Sequence, residues 1–282
     1  MRTCGFCDAR ADSREHAWPD WLLEELQRGS ARLHGLPPGA RISASVEAHR
    51  PGAPPLVWRG PKANVRVKRV CKRCNNEWMS RLEDIAKPII TPMLYGSRQA
   101  VPASVQFTLT LWSLKTAMVF DCLHKPGRMF YSSEDRSSLR RGLLSPTAIV
   151  EPLPAITRVW LAAYAGELPA TSTVSRLYGD VSVRGRRQPL AGYVTTISAG
   201  GFVTQVLTSR LPDHAARTFD LTLVSRPGPW HEATVCIWPS FWSEARWPPP
   251  HILRDQSALD AFAQRWPRRP SVNIPPAWLD DA

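Results

Sequence analysis

No stretch of the 282-residue chain approaches the roughly 20 apolar residues that a membrane-spanning helix requires, which removes helical membrane spans from consideration. The first twenty residues hold Arg2, Asp8, Arg10, Asp12, Arg14 and Glu15 and no apolar run, so no secretory leader is expected. Both absences predict a cytoplasmic protein without a membrane partner. Internal repeats and phosphate-cradling glycine loops are also missing, which argues against solenoids and P-loop nucleotide chemistry. Acidic residues are few beside basic ones, 24 against 36, for a net charge of +12. The hydrophobic share, 43%, suffices for a proper core in one large domain or two modest ones, so disorder throughout is excluded.

Cysteine is sparse but organised. Four of the six stand as two Cys-x-x-Cys pairs, Cys4/Cys7 and Cys71/Cys74. At that spacing both sulfurs of a pair reach one tetrahedral zinc ion, and two pairs complete a closed, structural four-sulfur site. The competing reading, two disulfides, fits poorly with a chain that keeps its thiols reduced. A closed zinc site does no chemistry itself, so the reactive candidates are the groups it would hold in place: Glu15, His16 and Asn75. Cys122 and Cys236 lie in apolar segments and read as small buried hydrophobes.

The pattern along the chain predicts where these residues sit. Residues 4 to 7 (CGFC) read as a zinc knuckle, and residues 21 to 28 as a short amphipathic helix stopped by Gly29. Residues 35 to 63 are rich in Gly and Pro, with strands expected over 41–48 and 55–58, and read as an insertion. Residues 64 to 70 begin as a half-buried strand that delivers Cys71, and residues 75 to 86 as a helix ended by Pro88. Knuckle, strands, and a helix whose first turn supplies two thiolates outline a treble-clef zinc finger. The positive end of the helix dipole suits a negatively charged thiolate site.

Beyond Gly96 the spacing predicts a buried helix over 106–124 and a second over 134–144. Strands are expected over 158–165, 192–199, 202–208, 219–224 and 233–238, with a hairpin at Gly200-Gly201, and a short helix over 257–266. The fold class is therefore α+β: a zinc module at residues 1–96 and a larger α+β domain at 97–282, ending in a Pro-rich tail.

Residues 1 to 100 hold 17 basic and 10 acidic side chains, so +7 of the charge lies beside the cysteines. The densest run is Lys62, Arg66, Lys68, Arg69, Lys72 and Arg73. Such a run suits a nucleic-acid backbone, where Lys and Arg gain affinity by counterion release.

The string CGFC, EHAWP and VCKRCN resembles the zinc-braced branch of the HNH, or His-Me finger, endonucleases, over residues 4 to about 86. The resemblance implies that His16 is the general base that activates water. It implies that Glu15 and Asn75 hold one divalent cation, magnesium or manganese, against the scissile phosphate of a nucleic acid, DNA first among the substrates. Hard oxygen donors suit those ions, and an imidazole suits base catalysis near neutral pH. The family's middle Asn, which orients the catalytic His, has Asn64, His34 and His49 as candidates here. Position 78 is Trp where a basic residue is common, with Arg81 one turn along. The alternative is a zinc-stabilised nucleic-acid-binding protein without turnover, in which Glu15 is a surface carboxylate and Asn75 a helix cap.

Overall fold

The fold was analysed in a computed structural model, which describes residues 2–33, 42–47, 55–60, 65–144, 156–166, 170–183, 186–210, 230, 232–239, 243–265 and 271–274. The strand expected over 219–224, together with Lys62, Asn64, His34, His49, His214 and His231, lies outside the described residues.

The architecture is α+β, with the cysteine pairs gathered at the N-terminal end. Strand β1 (Glu15–His16) is followed by helix α1 (Asp20–Leu33). Gly29 does not stop α1. A glycine inside a helix costs only about 1 kcal/mol relative to alanine, too little to end it unaided. Strands β2 (Ile42–Glu47) and β3 (Pro55–Gly60) pair antiparallel, from Ile42 opposite Gly60 to Glu47 opposite Pro55. Only two residues of the expected 64–70 strand enter a ladder, as β4 (Arg66–Val67) against β1.

A continuous helical stretch then begins at α2 (Lys72–Cys74), passes through a π-helical turn (Asn75–Met79) and continues as α3 (Ser80–Leu94). Its C-terminal end corrects the sequence expectation, because α3 runs through Pro88 and Pro92. The exposed position of Pro88 leaves solvent to serve the carbonyl that loses its partner. Burial of Ala86, Ile90, Met93 and Leu94 around it offsets the cost.

Strand β5 (Gln99–Pro102) leads into helix α4 (Ala103–Asp121), then α5 (Ser133–Leu144). Strands β6 (Ile156–Ala163), β7 (Ala170–Val183), β8 (Arg186–Ala199), β9 (Phe202–Arg210), β10 (Val235–Trp238) and β12 (Ser271–Ile274) join β2 and β3 in one eight-stranded sheet. Its order is β10-β6-β9-β8-β7-β2-β3, with β12 also beside β7. Strand β11 (Glu244–Trp247) pairs with β5, and a helix over Gln256–Ala263 follows.

Every residue of α4 from Leu109 to Asp121 is buried, because the helix packs between α3 and the sheet. Ser113 and Thr204 join α4 to β9 through hydroxyls 2.9 Å apart, and Trp112 meets Phe202 edge to face. The hairpin turn between β8 and β9 docks on the end of α3, where Gly201 N–H donates to Leu94 O at 2.8 Å. Gly200 has φ +52°, and a Cβ there would stand 2.5 Å from the same carbonyl. Glycine is the residue that fits. One buried cluster runs without a break from Cys4 and Phe6 through Trp18 and Phe120 to Ile237 and Trp247.

Candidate metal centre and adjoining catalytic cluster

The N-terminal segment is zipped onto the strand and turn that precede α2. Gly5 N–H donates to Arg69 O at 2.8 Å, Ser13 N–H to Val70 O at 3.1 Å, and Ala17 N–H to Val65 O at 2.8 Å. The Asp12 carboxylate accepts from Lys72 N–H at 2.8 Å and so caps the first turn of α2. This clamp brings the four thiols together. The sulfur atoms of Cys4, Cys7, Cys71 and Cys74 all lie within 4.8 Å of one another, and Cys7 Sγ is 3.6 Å from both Cys71 Sγ and Cys74 Sγ. Four sulfurs about 2.3 Å from a tetrahedral zinc ion stand about 3.8 Å apart, so the donor set fits a metal such as zinc.

The backbone is arranged for thiolates. Cys4 Sγ accepts from Phe6 N–H at 3.5 Å and Cys71 N–H at 3.3 Å, and Cys71 Sγ accepts from Cys74 N–H at 3.3 Å. Hydrogen bonding from the Cys74 thiol holds Cys4 down to about 5 against the burial that opposes it. That bond and burial push Cys74 up, and burial pushes Cys7 up. Four crowded thiols without a cation share their protons unequally; a bound metal would let all four ionise.

The β1–β4 register decides which way the neighbouring groups face. Glu15 lies opposite Val67 and His16 opposite Arg66. Cross-strand partners share a face of the ladder and successive residues alternate. Val67 is buried and Arg66 exposed, so Glu15 is on the inner face and His16 on the outer. His16 Nδ1 lies 3.0 Å from Asp20 Oδ2, an orienting carboxylate on the first turn of α1. A neutral ring that donates Nδ1–H to Asp20 carries its lone pair on Nε2.

Inside, Glu83 of α3 accepts from three donors: Trp21 Nε1 at 2.7 Å, Trp112 Nε1 at 2.8 Å, and the ammonium of Lys115. Burial pushes the Glu15 carboxyl up to about 7; Lys115 opposes this, and Glu83 and Asp20 add to it. Asn75 occupies the start of the π turn, where its N–H donates to Cys71 O at 3.0 Å and its carbonyl accepts from Ser80 N–H. Among the described residues, the four cysteines are the one group of three or more His, Cys, Asp or Glu side chains close enough to hold a metal. Glu15 and His16 are not among them.

The basic run is largely on the surface: Arg66, Lys68, Lys72 and Arg73 are exposed and Arg69 half-buried, with Arg73 paired to Glu77 at 3.4 Å. Trp78 packs edge to face on Phe6, and Trp18 on Phe120 of α4, so the aromatic core beside the four-cysteine cluster reaches beyond residue 96. Cys122 is fully buried and Cys236 half-buried.

The chain matches no family model, no curated protein and no solved structure. The site is accordingly read from its own geometry.

Asp20, Glu83 and Lys115 carry no motif that marks them in the sequence. One signal was available: Lys115 and Asp121 are the only charges in the apolar segment 106–123, and a lone charge in a buried helix implies a buried partner.

Proposed function

We propose that the protein is a metal-dependent endonuclease of the HNH type that hydrolyses phosphodiester bonds of nucleic acid, DNA first among them. The observation that carries this reading is the clamp, in which the four-thiol cluster fixes the strand bearing Glu15 and His16 against the helix start bearing Asn75. In this reading Asp20 orients His16, and the Nε2 lone pair takes a proton from the water that attacks phosphorus. Glu15 and Asn75 would hold magnesium or manganese, which when bound neutralises charge on the phosphate oxygens. Arg66, Lys68, Arg69, Lys72 and Arg73 face the nucleic-acid backbone, with Lys62 continuing the same run in sequence.

The purified protein is expected to nick supercoiled plasmid with magnesium or manganese, and His16→Ala to abolish nicking with zinc content unchanged. Equal cutting by the variant would end the assignment of His16.

A second reading is favoured by the burial that raises the Glu15 carboxyl to about 7, so that it is only partly ionised near neutral pH. The protein is then a zinc-stabilised nucleic-acid-binding protein without turnover. Salt-dependent binding with no cleavage under any divalent ion would select it.

A further inference from the structure

The turn between Cys4 and Cys7 rests on the junction of α4 and α5, where a Cβ on Gly5 would meet Cys122 Sγ at 3.3 Å and Arg136 Cδ at 3.5 Å. Helix α5 also packs against the π turn that follows Cys74. One helix outside the cysteine segments therefore meets both halves of the four-sulfur cluster. What it places there is a buried cation. Arg136 is 1% exposed and pairs with Asp121 of α4, which is buried as well. One terminal nitrogen donates to that carboxylate and the other to Tyr131 O at 2.6 Å. Nε, bonded to the carbon beside Gly5, has no hydrogen-bond partner among the described residues. A buried donor left unmet costs free energy, and a well-packed apolar pair would join α4 to α5 without it. The Asp121 carboxylate is also met by the backbone N–H groups of Phe130 and Tyr131, at 2.9 and 3.1 Å. The guanidinium thus shares its one carboxylate with two other donors and keeps an unmet N–H next to the knuckle.

We infer that Arg136 is a positioning residue of the metal centre: its charge and its Nε–H offset the net negative charge that four thiolates keep after binding one divalent ion, so that α5 sets how firmly the metal is held. Arg136 is not a ligand. It acts through the field at the sulfurs and through the seat it gives the Cys4–Cys7 turn. The inference rests on the four-thiol metal centre and is independent of the nuclease reading.

The full-length protein is loaded with iron in place of zinc, and the Fe3+/Fe2+ reduction potential of the centre is measured. Reduction adds one negative charge, which a neighbouring guanidinium favours, whereas an ion pair that only joins two helices leaves the potential where it was. Arg136→Met is expected to lower the potential by about 59 mV, a tenfold shift in the ratio of reduced to oxidised centre, and Arg136→Lys, which keeps the charge, to stay within about threefold of wild type. Zinc transfer to a chelator is followed alongside, about tenfold faster for Arg136→Met and within about threefold for Arg136→Lys. Far-UV circular dichroism establishes that each variant folds. Where Arg136→Met does not, Arg136→Gln with Asp121→Asn removes both charges and keeps polar contacts. Because two N–H groups already meet the Asp121 charge, a smaller shift in the same direction is expected. An unchanged potential in the variant that removes the charge overturns the inference, as does a shift in Arg136→Lys equal to that in Arg136→Met. A wild type that takes up neither metal ends it together with the metal centre.

Discussion

Trp21 on α1 and Trp112 on α4 donate their indole N–H groups to the same oxygen, Glu83 Oε2, at 2.7 and 2.8 Å. Two residues far apart in sequence thereby fix one carboxylate between α1 and the sheet-packing helix α4. Trp21→Phe keeps most of the ring and removes one donor. It is expected to cost about 1 to 3 kcal/mol, read as a lower urea midpoint with an unchanged slope.

Gly5 carries a steric prediction. A Cβ at that position would lie 3.3 Å from Cys122 Sγ and 3.5 Å from both Arg69 O and Arg136 Cδ. Gly5→Ala is expected to destabilise the protein by about 1 to 2 kcal/mol. Shortening the neighbour with Cys122→Ala in the same chain should recover part of that loss in a thermal melt.

One zinc ion per chain is expected by elemental analysis. Cys74→Ser should lose it together with the cooperative unfolding of the N-terminal segment, because the binding free energy of such a site is folding free energy, about 10 kcal/mol or more. Cys236→Ser, distant from the cluster in sequence and outside it, should retain full zinc.

Stability should depend on pH through Glu15. Its carboxyl is raised by burial to about 7 in the fold and ionises near the ordinary carboxylate range when unfolded. Its contribution is fully present below about pH 4.5 and lost as pH rises through about 7, because the unfolded chain releases a proton that the fold retains. Relative to wild type, Glu15→Gln should gain stability with rising pH, by roughly 3 kcal/mol at most, and level off above about pH 8. Urea unfolding from mildly acidic to mildly alkaline pH measures the difference; a constant difference would contradict the assignment.

Nucleic-acid binding should weaken steeply with salt. Neutralising Lys68 and Lys72 together is expected to lower the slope of log affinity against log salt by roughly 2, one for each phosphate left without its cation. Filter binding at several salt concentrations tests it.

Local signals are strong where chemistry and turns are local. The two Cys-x-x-Cys pairs announce their cluster, Gly200-Gly201 announces the two-residue hairpin, and the apolar run announces α4 within about three residues at each end. Strand β7 gives no such notice, because its sequence, ATSTVSRLYGDVSV, mixes small polar residues without clean alternation. Pairing with β8 over its whole length makes it a strand. Gly29 and Pro88 have the local character of helix stops, yet both helices continue, since local cost yields to packing. The Gly- and Pro-rich segment with the look of an insertion contributes β2 and β3, which extend the large sheet through β7.

Residue type and spacing alone determined that four thiols would meet, because the two residues between each pair's cysteines leave both sulfurs pointing to one side. They also determined that Glu15 and His16 would ride beside that cluster. Tertiary structure alone decided which face each takes, that Asp20 holds the imidazole, and that Lys115 of α4 pairs with Glu83 of α3. Those relationships join residues from separate elements through the burial of α4, and a charge in a buried helix finds its partner only after the chain has packed.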